Sequence, residues 1–171
     1  FEDIKIKFIE DSDTNIKIVA EPFDRGYAVT VGNALRRTLM TSVPGAAITS
    51  IKIEGVQHEF SSIEGVLEDV SDIILNMKEV IFKTINDGPE QIHLSLKGPM
   101  EFKAKEIGNL LNDFEVLNPN HLIATLNDKA TMDIDIRVSR GRGYYAANKN
   151  KRSDDVIGTI PMDSIFNPIT N

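Results

Sequence analysis

An α+β fold is what this sequence predicts, on three observations. Two stretches carry apolar residues at three- and four-residue steps, and most of the others alternate apolar with polar residues one by one. No internal repeat or low-complexity linker divides the 171 residues. A few helices set among many short strands is the arrangement such a pattern encodes.

The elements follow in chain order. Ile4, Ile6 and Phe8 alternate with polar residues, and Ile16 and Ile18 repeat the pattern after the polar stretch from Asp11 to Asn15, which predicts a hairpin with one buried face. From about Gly26 to Ser42, a step of roughly 100° per residue gathers Val31, Ala34, Leu35, Thr38 and Leu39 on one arc. Asn33, Arg36, Arg37 and Met40 fall opposite. This is an amphipathic helix, ended by Pro44-Gly45, and Ile51 and Ile53 then alternate with polar neighbours as a strand closing at Gly55. A second helix is expected where Val66, Val70, Ile73, Ile74 and Met77 recur, with Glu64, Glu68 and Asp69 early and Lys78 late, the charge order a helix dipole favours. Alternation then returns at Ile92, Leu94 and Leu96, in short pieces around Phe102–Ala104, Phe114–Leu117 and Leu122–Leu126, and most clearly at Met132, Ile134, Ile136 and Val138. Ser139 to Tyr144 and Asn148 to Asp155 read as turn and loop, before a last segment around Ile157–Phe166.

Composition narrows the function classes. With no cysteine there is no disulfide, thiolate metal site or cysteine nucleophile, which points to a reducing compartment. The longest apolar runs, such as Asp72 to Asn76, break within a few residues, whereas a membrane span needs about 20, so a soluble chain with no membrane partner is expected. No basic, apolar and small-residue leader opens the sequence, and the start at Phe1 is expected to follow removal of the first residue. Acidic residues outnumber basic ones 26 to 19, for a net charge of -7, which argues against coating nucleic acid through the overall field. Aromatics at 6% and no Trp make a base-stacking platform a poor reading.

The residues supply no visible catalytic engine. His58, His93 and His121 are far apart in sequence, and His58-Glu59 lacks the second histidine of a helical zinc motif, so surface or capping imidazoles are expected. Asp133 and Asp135 share one strand face, as two carboxylates holding a divalent cation would, but alternation with Met132, Ile134 and Ile136 is also what a solvated strand face requires. The solvated reading is preferred, with no cofactor and no metal. Gly141-Arg-Gly143 lacks the third glycine and the strand-to-helix context of a phosphate loop. From Arg137 to Arg152 six basic residues and no acidic one surround Tyr144 and Tyr145, which keeps a small nucleic-acid-binding module using 137–152 as the alternative function. On the first helix, Met40 and Asn33 beside Arg36 and Arg37 have the composition of a docking surface.

Glu21-Pro-Phe-Asp-Arg-Gly26 followed by Thr30-Val-Gly-Asn-Ala-Leu-Arg-Arg-Thr-Leu39 closely resembles the amino-terminal domain of the α subunit of bacterial DNA-directed RNA polymerase. Ser42-Val-Pro-Gly-Ala46, Ile53-Glu-Gly-Val56, His58-Glu-Phe-Ser61, Gly65-Val-x-Glu-Asp69, Ile74-Leu-Asn-Met-Lys78 and Arg140-Gly-Arg-Gly-Tyr144 are similar to that family's blocks in its order. The resemblance implies a non-catalytic scaffold, a subunit of a nucleotidyltransferase with no catalytic residues of its own. It implies a homodimer whose first helix supplies the dimer and core face through Val31, Ala34, Leu35, Thr38 and Leu39, and docks the β subunit through Asn33, Arg36, Arg37 and Met40. Lys78 and Met162 are the implied β′ contacts, and transcription regulators are kept as partners for residues 148–155. The implied architecture is a dimerisation subdomain of antiparallel strands and helix (1–45) interrupted by a β-rich insert (46–168), with 169–171 starting the return. Because the sequence stops at Asn171, a weak or altered dimer without DNA contact of its own is expected, in a bacterial cytoplasm or a plastid.

Overall fold

The computed structural model describes residues 3–12 and 14–170; Asp13, in the predicted hairpin turn, lies outside the described residues, as do Phe1, Glu2 and Asn171. The chain separates into two compact units, Phe1–Leu39 and Met40–Asn171.

In the first unit, strand β1 (Lys5–Asp11) pairs antiparallel with β2 (Ile16–Glu21), Lys5 opposite Glu21 and Asp11 opposite Ile16, with an irregularity between Phe8 and Glu10. The Ser12 amide donates to the Asn15 carbonyl at 2.9 Å, and the Asn15 amide to Ser12 Oγ at 3.0 Å. Helix α1 (Tyr27–Ser42) starts here and has the predicted extent, but it carries no buried residue. The predicted buried face of the hairpin is also absent, since Ile6 and Phe8 are 62% exposed. A two-stranded ribbon has no second layer of its own to cover its apolar face.

The second unit is built on a six-stranded antiparallel sheet. After β3 (Pro44–Ile53) and helix α2 (Val70–Lys78) come β4 (Phe82–Thr84), β5 (Pro89–Lys97), β6 (Met100–Lys103), helix α3 (Ala104–Gly108), β7 (Phe114–Val116), β8 (Leu122–Leu126) and β9 (Thr131–Arg142). The short β10 (Tyr144–Tyr145), helix α4 (Ala147–Asn150), β11 (Ile160–Pro161) and β12 (Ser164–Ile165) complete the order. The sheet runs β5-β9-β3-β4-β7 with β11 added on β3, while β6 pairs β8 and β10 pairs β12. Alternation decides its faces: Ile92, Leu94 and Leu96 on β5 and Met132, Ile134, Ile136 and Val138 on β9 all point into the core, and their polar neighbours point out. Val70, Ile73 and Met77 of α2, with Phe102, Ile123, Ala124 and Leu126 of the β6–β8 pair, belong to the same core.

The structure departs from the sequence expectations at several points. The strand predicted at Ser50–Glu54 begins at Pro44, because its first residues pair with Arg142, Gly141 and Arg140 of β9; the expected turn at Arg140–Arg142 is therefore strand. Proline is admissible there as the first residue of a strand. An extra residue between Ile48 and Ser50 breaks the β3 alternation, so Ile48, Thr49, Ser50 and Ile51 are all buried. The second helix starts at Val70; Val66 instead forms a bridge with Leu126, and Glu68 accepts from the Thr125 amide at 2.6 Å and the Thr125 hydroxyl at 3.0 Å. The short helices α3 and α4 occupy stretches that show no helical period in the sequence.

Candidate docking surfaces

Docking requires an exposed face with fixed geometry. On α1, Asn33, Arg36, Arg37 and Met40 are all exposed, as are Ala34, Leu35, Thr38 and Leu39 of the apolar arc, while Val31 is half-buried. The helix thus presents both its arginine-bearing side and most of its aliphatic side.

The other two implied contacts, Lys78 and Met162, meet in one groove of about 440 Å³. One wall is α2, whose Ser71, Ile74, Leu75 and Lys78 stand at three- and four-residue spacing on a single stripe. The opposite wall is the strip Ile160–Asp163, and Glu59 and Ala147 also line the groove. Lys78 Nζ reaches Asp163 Oδ1 at 2.5 Å, joining the walls. Met162 is only 2% exposed, so its side chain serves as core packing beneath the groove rather than as a projecting contact. The strip is anchored from behind. The Met162 amide donates to the Thr49 carbonyl at 2.9 Å, Ser164 Oγ to the Ile48 carbonyl at 2.7 Å, and Asn150 Nδ2 to the Met162 carbonyl at 2.6 Å.

Leu75, 56% exposed at the rim, is the groove residue that sequence reading missed. Its signal was present, because it sits next to Ile74 within an apolar pair while the core stripe of Val70, Ile73 and Met77 already accounts for the inward face.

The remaining candidates resolve differently. Asp135 Oδ1 lies 2.8 Å from His93 Nδ1, and Asp133 accepts from Ser95 Oγ, so both carboxylates belong to a hydrogen-bonded outer face of β5 and β9. Among the described residues no group of three or more histidine or acidic side chains is placed to hold a metal ion. His121 Nε2 donates to the Asn76 carbonyl at 2.8 Å, and His58 Nδ1 lies 3.2 Å from Ser61 Oγ.

The basic run divides, with Arg140, Arg142 and Arg152 bordering one recess that the other three basic residues do not line. Arg137 is largely buried and its Nη2 donates to Asp155 Oδ1 at 2.8 Å, Arg140 pairs with Asp87, and Lys149 stands 5.8 Å above the Tyr145 ring. With Arg137 buried on Asp155 and Arg140 paired with Asp87, few cations of the run are left to follow a nucleic-acid backbone, which disfavours the nucleic-acid alternative. Burial pushes the Asp155 carboxyl up, but hydrogen bonds from the Arg152 amide and Arg137, with the charge of both arginines, hold it below the ordinary aspartate value. In Glu90 burial also raises the carboxyl, and the Asp113 amide, the Asn112 amide and the Asn112 side chain outweigh it and lower the group below its usual range. No helix among the described residues is long and apolar enough to cross a membrane.

Comparison with known proteins agrees with the blocks read from the sequence. The chain is 56% identical over 155 residues to the DNA-directed RNA polymerase subunit alpha of Chloroherpeton thalassium, covering 91% of this chain and 47% of that protein. It is 51% identical over 162 residues to the protein of the same name from Salinibacter ruber, covering 95% and 49%. Against that of Leptospira biflexa it is 51% identical over 170 residues, covering 96% and 52%. The chain spans about half the length of the curated relatives it matches. The model of the RNA polymerase Rpb3/RpoA insert domain matches residues 51–167, which takes in the whole sheet core from Ile51 and both walls of the groove, and the chain belongs to that family.

Proposed function

We propose that this chain is a non-catalytic assembly scaffold of a DNA-directed RNA polymerase, acting in the cytoplasm of a bacterium. It pairs with a second copy through the first unit, docks the β subunit on Asn33, Arg36, Arg37 and Met40 of α1, and docks β′ at the groove between Lys78 and Met162. Residues 1–45 are then the first part of a dimerisation subdomain and 46–168 its insert, with regulators reaching 148–155. The observation that carries this reading is the groove itself: two residues far apart in sequence, both implied as contacts for one partner, line a single apolar-walled recess with an ion pair across it. Leu75 beside the anchored wall offers apolar area whose burial by a partner is favourable.

Reconstitution with purified β and β′ tests it. The tagged chain should retain β, and Arg37→Ala should reduce that retention while leaving the melting temperature unchanged, since removing one partner of a buried charge pair costs about 2–5 kcal/mol. Leu75→Glu should reduce β′ retention on the preformed assembly and leave β retention intact. Undiminished β binding by Arg37→Ala together with undiminished β′ binding by Leu75→Glu refutes the assignment of both faces.

A further inference from the structure

A second recess lies at the other end of β9, where its last residues meet β3 and β5. It is an open recess of about 490 Å³ bordered by Pro44, Asp87, Pro89, Arg140, Arg142 and Arg152. Arg140 and Arg142 are two apart on one strand, so both side chains leave the same face. Their placement depends on Gly141, where a Cβ would come within 2.6 Å of the Phe166 ring. Three arginines therefore border a cleft whose lining has a single acidic residue, Asp87, in a chain whose net charge is -7.

We infer that this cleft receives an acidic segment of a partner protein. Asp87 already shows the chemistry: its carboxylate occupies Arg140 from the rim, and at 79% side-chain exposure it is held there by little else. Arg142 has no ion-pair partner among the described residues. Arg152 acts electrostatically on Asp155 and also borders the cleft. A carboxylate arriving from outside takes the place of Asp87 on Arg140 and gains Arg142, with the fork geometry that guanidinium groups offer to carboxylates. A nucleic-acid duplex is the poorer occupant, because holding its backbone takes cations spread along a surface, whereas these three arginines converge on one cleft the size of a short acidic segment.

The experiment uses the full chain and a fluorescein-labelled peptide of alternating aspartate and glycine, read by anisotropy at low and high salt. Binding should be saturable at low salt and weaken as salt rises. Arg142→Ala should weaken it by about ten- to a hundredfold, the range of a lost hydrogen bond to a charged group, and Asp87→Ala should strengthen it several-fold by removing the internal competitor. Both residues are exposed, so the variants keep the fold, which an unchanged melting curve verifies. Absence of peptide binding overturns the inference. So does binding indifferent to Arg142→Ala, or tighter binding of a random DNA duplex than of the peptide.

Discussion

Strands β1 and β9 read almost alike in sequence, and they end in opposite environments. Ile6 and Phe8 on the one are each 62% exposed, while Ile134, Ile136 and Val138 on the other are 0% exposed. Period-two alternation specifies that a strand has an apolar face; it does not specify what covers that face. In the second unit the cover is intramolecular, from α2 and the β6–β8 pair. In the first unit the same code is written on a hairpin and on α1, and the apolar residues stay open to solvent. The hairpin and α1 thus each carry exposed apolar side chains, the feature on which the proposed pairing with a second copy rests.

The sharpest way to break this comparison is to make the same change in both regions. Phe102, 0% exposed, and Phe8, 62% exposed, are both strand phenylalanines. Phe102→Ala should destabilise the chain by about 3–5 kcal/mol in urea unfolding, whereas Phe8→Ala at low protein concentration should stay within about 0.5 kcal/mol. Equal losses would show that the hairpin face is covered in solution.

A smaller effect is expected at Asp155, whose buried partner Arg137 has a second nitrogen, Nη1, with no hydrogen bond among the described residues. Asp155→Asn removes the compensating charge and should cost about 3 kcal/mol. The pH dependence has a definite sign. The Asp155 carboxyl is lowered in the folded state, so its contribution is complete above the ordinary aspartate value of about 3.9 and is lost as pH falls through the lowered value. The Asn variant should therefore show a flatter acid limb than the parent, and Glu90, lowered in the same direction, accounts for part of the slope that remains. An acid limb of unchanged steepness would remove Asp155 from the explanation.

The smallest effect belongs to the exposed pair Lys7–Glu21 across the hairpin, at 3.3 Å with side chains 65% and 59% exposed. Lys7→Ala should change stability by no more than about 1 kcal/mol and should become silent at high salt. A larger, salt-insensitive loss would mean that the pair is shielded from solvent.

What the sequence made legible follows the same division. The period of α1 and the alternation of β5 and β9 could be read because each side chain's environment repeats at a fixed step. The start of β3 could not, since Pro44-Gly45 is a breaker pair in isolation and becomes strand only by pairing with residues 141 and 142. The five residues of α3 are too few to display a helical period. Glu68 looked like a first-turn acid and proves to be a clasp on Thr125, an assignment that needs the partner strand in view. At the candidate site, Lys78 and Met162 were named by resemblance, but their meeting in one groove with Leu75 depends on the strip 160–164 folding back along β3.

That folding back has a kinetic consequence. With Met162 tied to Thr49, Ser164 to Ile48 and Asn150 to Met162, the groove wall is a preset surface that a partner meets in its final shape. Little chain ordering is left to be done on contact, so the encounter is governed by orientation and the complex by how slowly it comes apart.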